Sequence, residues 1–463
     1  NEVLESPYLK KRSAEDILKA WDAIFESNSG VINDVLSKLE ASNRSKFGPR
    51  SVATPWSERE DAVKAYFSAD ASLKFKRTVT KASRNLRPKT LQAAIQLLKN
   101  STNSGLPYYR KKGLVKNEVL ENFKQLLDRK DPCVMFTRTQ ENKKTRTVWG
   151  FPMADTLNEM RYYAPLLEYQ RKLDWRNSLK SPDDVNNKMT RLINSAGANR
   201  KLLSIDFSAY DSSLKYNLQK EAFEYIKDLF QPSCSDELAY IFERFNTIGL
   251  ITPDGIFSGS HGVPSGSTFT NEVDSICQYL IAKQFELDSS DFDIQGDDGA
   301  YVLENPDLLM DYFSSFGLTV NKEKSYIAED YLIYLQNLYH KEYTLRDGTI
   351  GGIYPTYRAL NRILYLERFT DFEKTDILGK DYFSIRTISI LENCKYSPLF
   401  TQLVKFVYSL DKYKLKYSQE GLNSYIKNMK AASGVAGVFK FRYEDDVAGI
   451  SAFETVKLLK TLV

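Results

Sequence analysis

The stretch that decides the fold is Phe292-Asp-Ile-Gln-Gly-Asp-Asp-Gly-Ala-Tyr-Val-Leu303. Apolar runs form its two ends, and Gly-Asp-Asp-Gly lies between them. Asp and Gly tolerate the backbone angles of tight turns, so the pattern predicts a β-hairpin with two aspartates at its tip. Taken alone, this pattern indicates a turn and carries no chemistry.

A second acidic position lies upstream of this hairpin. Asp206 follows the apolar run 202–205, which is typical of a buried strand. An Asp at a strand end is commonly a turn former or a helix cap. If the strand pairs with the hairpin, however, Asp206 joins Asp297 and Asp298 in a set of hard oxygen ligands. Such a set suits divalent cations and in-line phosphoryl transfer.

A loop of small and hydroxylated residues, Gly262-Val-Pro-Ser-Gly-Ser-Thr-Phe-Thr-Asn271, lies between the two acidic positions. It leads into a predicted helix through residues 272–282. One interpretation is a helix start capped by Ser265 or Ser267. The other is a binding loop, because glycine allows close backbone approach and hydroxyl groups bind sugars or phosphates.

The composition of the chain is that of an ordinary globular protein. It has 463 residues, of which 42% are hydrophobic and 27% charged, and its net charge is only +4. Positive charge is nevertheless segregated, because residues 108–148 hold eleven Lys and Arg against five Asp and Glu. This basic window fits either a solvated helix face or a surface for phosphates.

Other residue counts exclude several classes of protein. The four cysteines are too widely spaced for a disulfide framework or a zinc site, so we expect a reducing compartment. Two histidines in the whole chain make histidine chemistry a poor expectation. No apolar run is long enough to span a membrane, so we expect a soluble intracellular protein.

Taken together, the ordered segments are specific. Asp206-Phe-Ser-Ala-Tyr-Asp211, then Ser265-Gly266 with Thr270, then Gly296-Asp297-Asp298 resemble motifs A, B and C of viral RNA-dependent RNA polymerases. The residues of these motifs are most similar to those in the polymerases of picobirnaviruses, with partitiviruses next. Both are double-stranded RNA viruses. The resemblance implies an α+β right-hand fold with fingers, palm and thumb, in which helices flank an antiparallel palm sheet and the thumb is mostly helical.

The resemblance also implies a division of the chain. We expect an N-terminal region and fingers over 1–199, palm motif A over 200–214 and a fingers insertion over 215–255. The palm continues with motifs B to E over 256–342, and the thumb and C-terminal segment cover 343–463. The glycine-rich segment 433–439 is interpreted as a surface connector, with a return towards the active site as the alternative.

The implied roles follow the motifs. Asp206 and Asp297 would hold two Mg²⁺ or Mn²⁺ ions with Asp298 in support, and Lys324, with Lys322 in reserve, would protonate the leaving pyrophosphate. The residues implied for binding the incoming triphosphate, in motif F, are Arg138, Lys144 and Arg146. The residues implied for contact with RNA are Ser104, Gly105 and Pro107 in motif G along the template path and Gln336 in motif E on the primer side.

Recognition of the ribose departs from the family pattern. The resemblance assigns it to Asp211 and to an asparagine nine positions after the serine, and it implies nucleotide binding for the loop residues Ser265, Gly266 and Thr270. That position is Asp274 here, whereas Asn271 comes three positions too early. Asp274 shares a helical face with Thr270, so we favour it over Asn271. A pair of close carboxylates at 211 and 274 would need a proton or a donor between them.

The predicted activity is RNA-templated RNA synthesis that replicates and transcribes a viral, double-stranded RNA genome. The expected partners are template and product RNA, nucleoside triphosphates and a viral capsid protein. A monomer without membrane contact is expected, located in the virion interior or the host cytoplasm. The alternatives are a reverse transcriptase, which Gln295-Gly296 and Asp211 disfavour, and a non-catalytic RNA-binding or capsid-associated protein.

Overall fold

A computed structural model describes residues 2–70, 72, 84–371, 376–433 and 449–463. The strands in these residues are β1 Cys133–Thr139, β2 Thr145–Gly150, β3 Lys201–Ile205, β4 Phe207–Ser208, β5 Leu250–Thr252, β6 Gly255–Phe257, β7 Phe292–Gln295, β8 Asp298–Leu303, β9 Thr319–Val320, β10 Tyr326–Ala328, β11 Tyr331–Tyr334 and β12 Asn337–His340. All but Ser433 of the glycine-rich segment 433–439 lies outside the described residues.

Helices make up most of the remaining regular structure. Their bounds are Ala14–Ser27, Asp34–Ser45, Trp56–Lys64, Leu91–Ile95, Lys112–Glu121, Phe123–Asp128, Met153–Gln170, Pro182–Ser195, Tyr210–Ser213, Tyr216–Leu229, Ser235–Thr247, Thr270–Gln284, Pro306–Ser315, Thr356–Leu364, Gly379–Glu392, Phe400–Leu410, Gln419–Ser433 and Glu454–Lys460. None of the described helices is both long enough and apolar enough to cross a membrane.

The central sheet has the strand order β10-β3-β8-β7, and every neighbouring pair in it is antiparallel. Successive side chains along its strands point to opposite faces of the sheet and so enter two different cores. Leu203 and Tyr301 face the larger core, which several helices complete. Leu202 and Val302 face a second core against the Pro182–Ser195 helix. Helices therefore flank both faces of this sheet, as predicted for the palm.

A second sheet, of order β2-β1-β5-β6, contains the basic hairpin. β1 and β2 are antiparallel partners in which Arg138 lies opposite Arg146. β5 joins β1 in parallel, so the end of the predicted fingers insertion is in the same sheet as the basic window. This sheet forms the framework of the predicted fingers.

The C-terminal part is mostly helical, as predicted for the thumb, and the N-terminal helices pack against it. Ser13 caps the first helix by accepting a hydrogen bond from Asp16 N, and Ile17 and Trp21 are fully buried on its inner face. Trp21 Nε1 donates to Thr356 Oγ1 at 3.2 Å. The start of the chain therefore shares the core of the predicted thumb.

Ion pairs connect the basic hairpin with the predicted thumb. Arg358 Nη1 lies 2.9 Å from Glu141 Oε1, and Arg138 Nε lies 2.8 Å from Glu367 Oε1. Arg50 adds a longer contact to Glu367, at 3.7 Å. The basic hairpin and the predicted thumb are therefore in direct contact.

Candidate active site

The acidic residues of motifs A and C lie at one end of the central sheet. In the β3–β8 pairing Ile205 lies opposite Gly299, so Asp206 emerges beside the turn that joins β7 and β8. That turn is Gly296-Asp297, because Gln295 pairs with Asp298. The predicted hairpin and its proximity to Asp206 are both present in the structure.

The three carboxyl groups have raised pKa values. Loss of water around each group is the largest cause, and the nearby carboxylates add to it at Asp297 and Asp298. The pKa of Asp298 reaches about 7, and that of Asp206 is raised by burial. Negative charges this close together favour the binding of cations.

Lysine side chains supply part of that positive charge. The charges of Lys324, Lys144 and Lys46 oppose the rise in the pKa of Asp206. Arg146 has the same effect on Asp297. Lys322, the reserve candidate for motif D, instead pairs with the exposed Asp311 at 3.4 Å.

Two residues of a neighbouring helix hold the Gly296-Asp297 turn in place. Gly296 N donates to Ser275 Oγ at 2.8 Å, and Gln278 Nε2 donates to Gly296 O at 3.0 Å. Both residues belong to the Thr270–Gln284 helix. Asn271, one turn before Ser275, lies against the same turn, since a Cβ on Gly296 would be 3.2 Å from Asn271 Oδ1.

The hairpin of motif E holds the second aspartate of motif C. Its turn is Leu335-Gln336, with positive φ at both residues. Leu335 N donates to Asp298 Oδ2 at 2.9 Å, and Gln336 is exposed at the tip. The orientation of Asp298 is therefore linked to the segment predicted to run along the primer.

The ribose candidates fall into two groups. Ser265 Oγ donates to Asp211 Oδ2. Asp274 is buried, and burial together with the charge of Asp211 and a hydrogen bond to it raises its pKa well above the ordinary value. The raised pKa favours the neutral form of Asp274, which lowers the repulsion expected from its proximity to Asp211. Asn271 belongs instead to the turn of motif C.

The Ser265-Gly266 loop lies against β2. Trp149 N donates to Ser265 O at 2.7 Å, and a Cβ on Gly266, whose φ is +142°, would lie 2.2 Å from Trp149 O. Thr270 Oγ1 donates to Pro264 O at 3.0 Å, a hydrogen bond that joins the two ends of the loop. Glycine at 266 is therefore required by close approach of the backbone as well as by its dihedral angle.

The remaining predicted contacts differ in their exposure. Arg138 is on the exposed side of the basic hairpin, where Glu367 pairs with it. Ser104 and Gly105 are buried, and Met153 N donates to Ser104 O at 2.8 Å. Their burial indicates that they shape the loop, and Pro107 is its exposed member. Direct contact of Ser104 or Gly105 with RNA is not supported by this placement.

Several residues that matter to the site were not identified from the sequence. Arg176 and Glu272 form a fully buried ion pair, and Arg176 Nη2 also donates to Gln295 Oε1 at 3.2 Å, next to the turn of motif C. Lys46 and Tyr66 enter the site from the N-terminal region. A lone charge or aromatic residue between helices carries no recognisable sequence signal.

The acidic residues can serve as part of a metal site. The described residues contain no group of three or more Asp, Glu, His or Cys side chains that could hold a metal ion as placed. Mg²⁺ is commonly bound by one or two carboxylates that share it with substrate phosphates. Asp206 and Asp297, whose side chains both reach solvent, match that donor set.

Comparisons with known proteins agree with the sequence analysis. The family model described as viral RNA-dependent RNA polymerase matches residues 49–348. The chain is 28% identical over 453 residues to the potential RNA-dependent RNA polymerase of a human picobirnavirus, covering 89% of this chain and 83% of that one. It is 22% identical over 282 residues to the RNA-directed RNA polymerase of Cryptosporidium parvum virus 1, covering 54% and 53%.

Solved structures give the same result. The crystal structure of a human picobirnavirus RNA-dependent RNA polymerase superposes with a TM-score of 0.82 at 27% identity, covering 100% of this chain and 94% of that one. Its insertion loop deletion mutant superposes equally well, at 26% identity. The predicted α+β right-hand fold is confirmed, and the reverse transcriptase and non-catalytic alternatives are not favoured. The chain belongs to the viral RNA-dependent RNA polymerases, enzymes that synthesise RNA on an RNA template.

Proposed function

We propose that this chain extends RNA through two divalent cations, Mg²⁺ or Mn²⁺, held by Asp206 and Asp297 with Asp298 in support. The observation that carries the proposal is the β3–β8 pairing, which places the end of motif A beside the turn of motif C. The pKa values of Asp297 and Asp298, which are raised by burial and further by neighbouring carboxylates, support it, because bound cations would relieve this repulsion.

The proposed reaction is nucleotidyl transfer. The 3′ hydroxyl of the RNA attacks the α-phosphate of the incoming nucleotide, a new P–O bond forms, and the bond to the pyrophosphate breaks. The two ions would stabilise charge on the attacking and leaving oxygens. Lys324, close enough to influence Asp206, is our candidate for giving a proton to the pyrophosphate.

The positive residues bind the triphosphate in this proposal. Lys144 and Arg146 come from β2 and its turn, and their charges act on the acidic residues. Lys46 adds a further charge from the N-terminal region. Arg138 lies across from Arg146 on the same hairpin and would have to exchange Glu367 for a phosphate.

Asp211, Ser265 and Asp274 recognise the ribose in this proposal. Asp274 Oδ1 is buried without a hydrogen-bond partner among the described residues. It can therefore accept a hydrogen bond from a hydroxyl group of the substrate. Thr270 and Gly266 shape the loop around this position. Asn271 supports the turn of motif C and is not needed for ribose contact.

We place the RNA path along Pro107 on the template side and Gln336 on the primer side, both of which are exposed. The predicted boundaries at 199, 214, 255 and 342 remain our division into fingers, palm and thumb. Apolar residues between Leu9 and Phe47, however, pack with the core of the predicted thumb. We further propose a double-stranded RNA genome, a monomeric enzyme, a capsid protein as partner, and a location in the virion interior or the host cytoplasm.

The test is incorporation of labelled ribonucleotides on a defined single-stranded RNA, with and without primer. The wild-type protein is compared with Asp297→Ala across a titration of Mg²⁺ and Mn²⁺. Asp307→Ala, at an exposed position on the Pro306–Ser315 helix, is the matched control. We expect metal-dependent synthesis in the wild type and the control and none in Asp297→Ala. Equal activity in all proteins would reject the two-metal assignment.

A further inference from the structure

A short turn outside all the polymerase motifs reaches the ribose site. It is the 3-10 helix Ala65–Phe67. The hydroxyl of Tyr66 lies 3.2 Å from Ser265 Oγ, although the two residues are 199 positions apart in sequence. Tyr66 therefore brings a hydrogen-bonding group from the N-terminal region to the ribose candidates.

The turn is held firmly in this position. Lys215 Nζ donates to the backbone oxygens of Ala65 and Tyr66, each at 2.7 Å. Gly262 N donates to Tyr66 O at 2.8 Å. The Tyr66 ring packs against Trp149 with their centroids 5.5 Å apart. These contacts involve the backbone and the ring of Tyr66, so they fix its position and leave its hydroxyl available for the hydrogen bond with Ser265.

The direction of the hydrogen bonds follows from the donors present. Ser265 has one hydroxyl proton and donates it to Asp211 Oδ2. Tyr66 must therefore be the donor to Ser265 Oγ. Burial raises the pKa of Tyr66 above its ordinary value, so its proton is retained. The result is a directed chain from Tyr66 through Ser265 to Asp211, on whose other side Asp274 lies.

We propose that Tyr66 is a positioning residue for discrimination between ribonucleotides and deoxyribonucleotides, which acts by fixing the hydroxyl of Ser265 towards Asp211. The proposal rests on the ribose role proposed above for Asp211 and Ser265. Without Tyr66 the Ser265 hydroxyl can rotate, and the carboxylate loses its fixed orientation. A contact to the 2′ hydroxyl is then weakened, whereas a deoxyribonucleotide has no such contact to lose.

The test is single-nucleotide incorporation by Tyr66→Phe, with kcat/KM measured for CTP and dCTP opposite the same template base. One neutral hydrogen bond corresponds to about a threefold to tenfold change. We expect kcat/KM for CTP to fall by about that factor while kcat/KM for dCTP stays the same. A purely structural role would lower both values together and would overturn the proposal, as would no change in either.

Two controls make the result specific. Tyr343→Phe removes a tyrosine hydroxyl that bonds Asn33 N at 2.8 Å, far from the ribose candidates, and should leave the CTP to dCTP ratio unchanged. Ser265→Ala tests the proposed function itself. If Ser265→Ala changes the ratio and Tyr66→Phe does not, the inference about Tyr66 fails and the ribose site stands. If Ser265→Ala leaves the ratio unchanged, the ribose assignment fails.

The double variant Tyr66→Phe, Ser265→Ala completes a cycle. If Tyr66 acts through Ser265, adding Tyr66→Phe to Ser265→Ala should change the CTP to dCTP ratio little further. Multiplicative effects of the two substitutions would show that Tyr66 acts by another route, which contradicts the proposed chain.

Discussion

Replacing Glu159 by Gln should make the stability of this polymerase less sensitive to alkaline pH. Glu159 lies on the Met153–Gln170 helix and is 3% exposed. Its carboxyl oxygens meet Thr268 N at 3.1 Å and Ser267 Oγ at 2.5 Å, so it supports the loop that carries Ser265-Gly266. Burial raises its pKa from 4.5 to about 8.

The direction of the effect follows from proton linkage. Because the folded protein holds this proton more tightly than the unfolded chain, the stabilising contribution is fully present below pH 4.5 and is lost as the pH rises to about 8. At about 1.36 kcal/mol per pH unit, this difference in the pKa of Glu159 corresponds to about 5 kcal/mol. Gln keeps an acceptor for Thr268 N and a donor for Ser267 but cannot ionise.

The assay is urea unfolding of the wild type and Glu159→Gln at intervals between pH 5 and pH 9. Near pH 5 we expect similar stabilities. Above pH 8 the variant should be the more stable protein, by up to about 5 kcal/mol. Glu118→Gln, on an exposed helix face, is the matched control for loss of one acidic residue. A difference between Glu159→Gln and the wild type that is constant across the pH range would refute the reasoning.

Three further predictions concern the site and its support. A Cβ at Gly266 would lie 2.2 Å from a backbone oxygen of β2, so Gly266→Ala should lower RNA synthesis more than tenfold, by about 1.4 kcal/mol or more, whereas Gly30→Ala, in open space, should not. Lys46→Ala should raise KM for nucleoside triphosphates about twofold to fivefold in steady-state assays, and Lys46→Arg should restore much of the loss. Glu272→Gln leaves Arg176 buried without its partner and should cost about 3–5 kcal/mol in thermal unfolding, whereas the double variant Arg176→Met, Glu272→Leu should cost less.

Local patterns predicted the centre of this molecule well. The hairpin of motif C is predictable because turn residues lie between two apolar runs. The position of Asp206 is predictable because it directly follows a strand. The conflict between Asp211 and Asp274 followed from the roles that the family resemblance implied, after helical periodicity had favoured Asp274 over Asn271. These features depend on short stretches of chain, so the sequence carries their signals directly.

Features that depend on distant contacts were not predictable in the same way. Tyr66 and Ser265 meet across 199 positions, and no local pattern marks Tyr66. The burial of Ser104 depends on packing against the start of the Met153–Gln170 helix. The motif resemblance therefore pointed to a loop but could not separate the residues that are buried in it from those that are exposed.

The segment 46–66 contacts both the predicted thumb and the basic hairpin, and it has a residue of the proposed nucleotide site at each end. Gly48 N donates to Asn361 in the thumb at 2.9 Å, and Thr54 N donates to Thr145 Oγ1 in the basic hairpin at 2.8 Å. Lys46 precedes the first of these anchors and acts on Asp206, whereas Tyr66 follows the second and acts on Ser265. In the function proposed above, Lys46 lies on the phosphate side of the site and Tyr66 on the ribose side, so a single stretch of the N-terminal region would serve both ends of the incoming nucleotide.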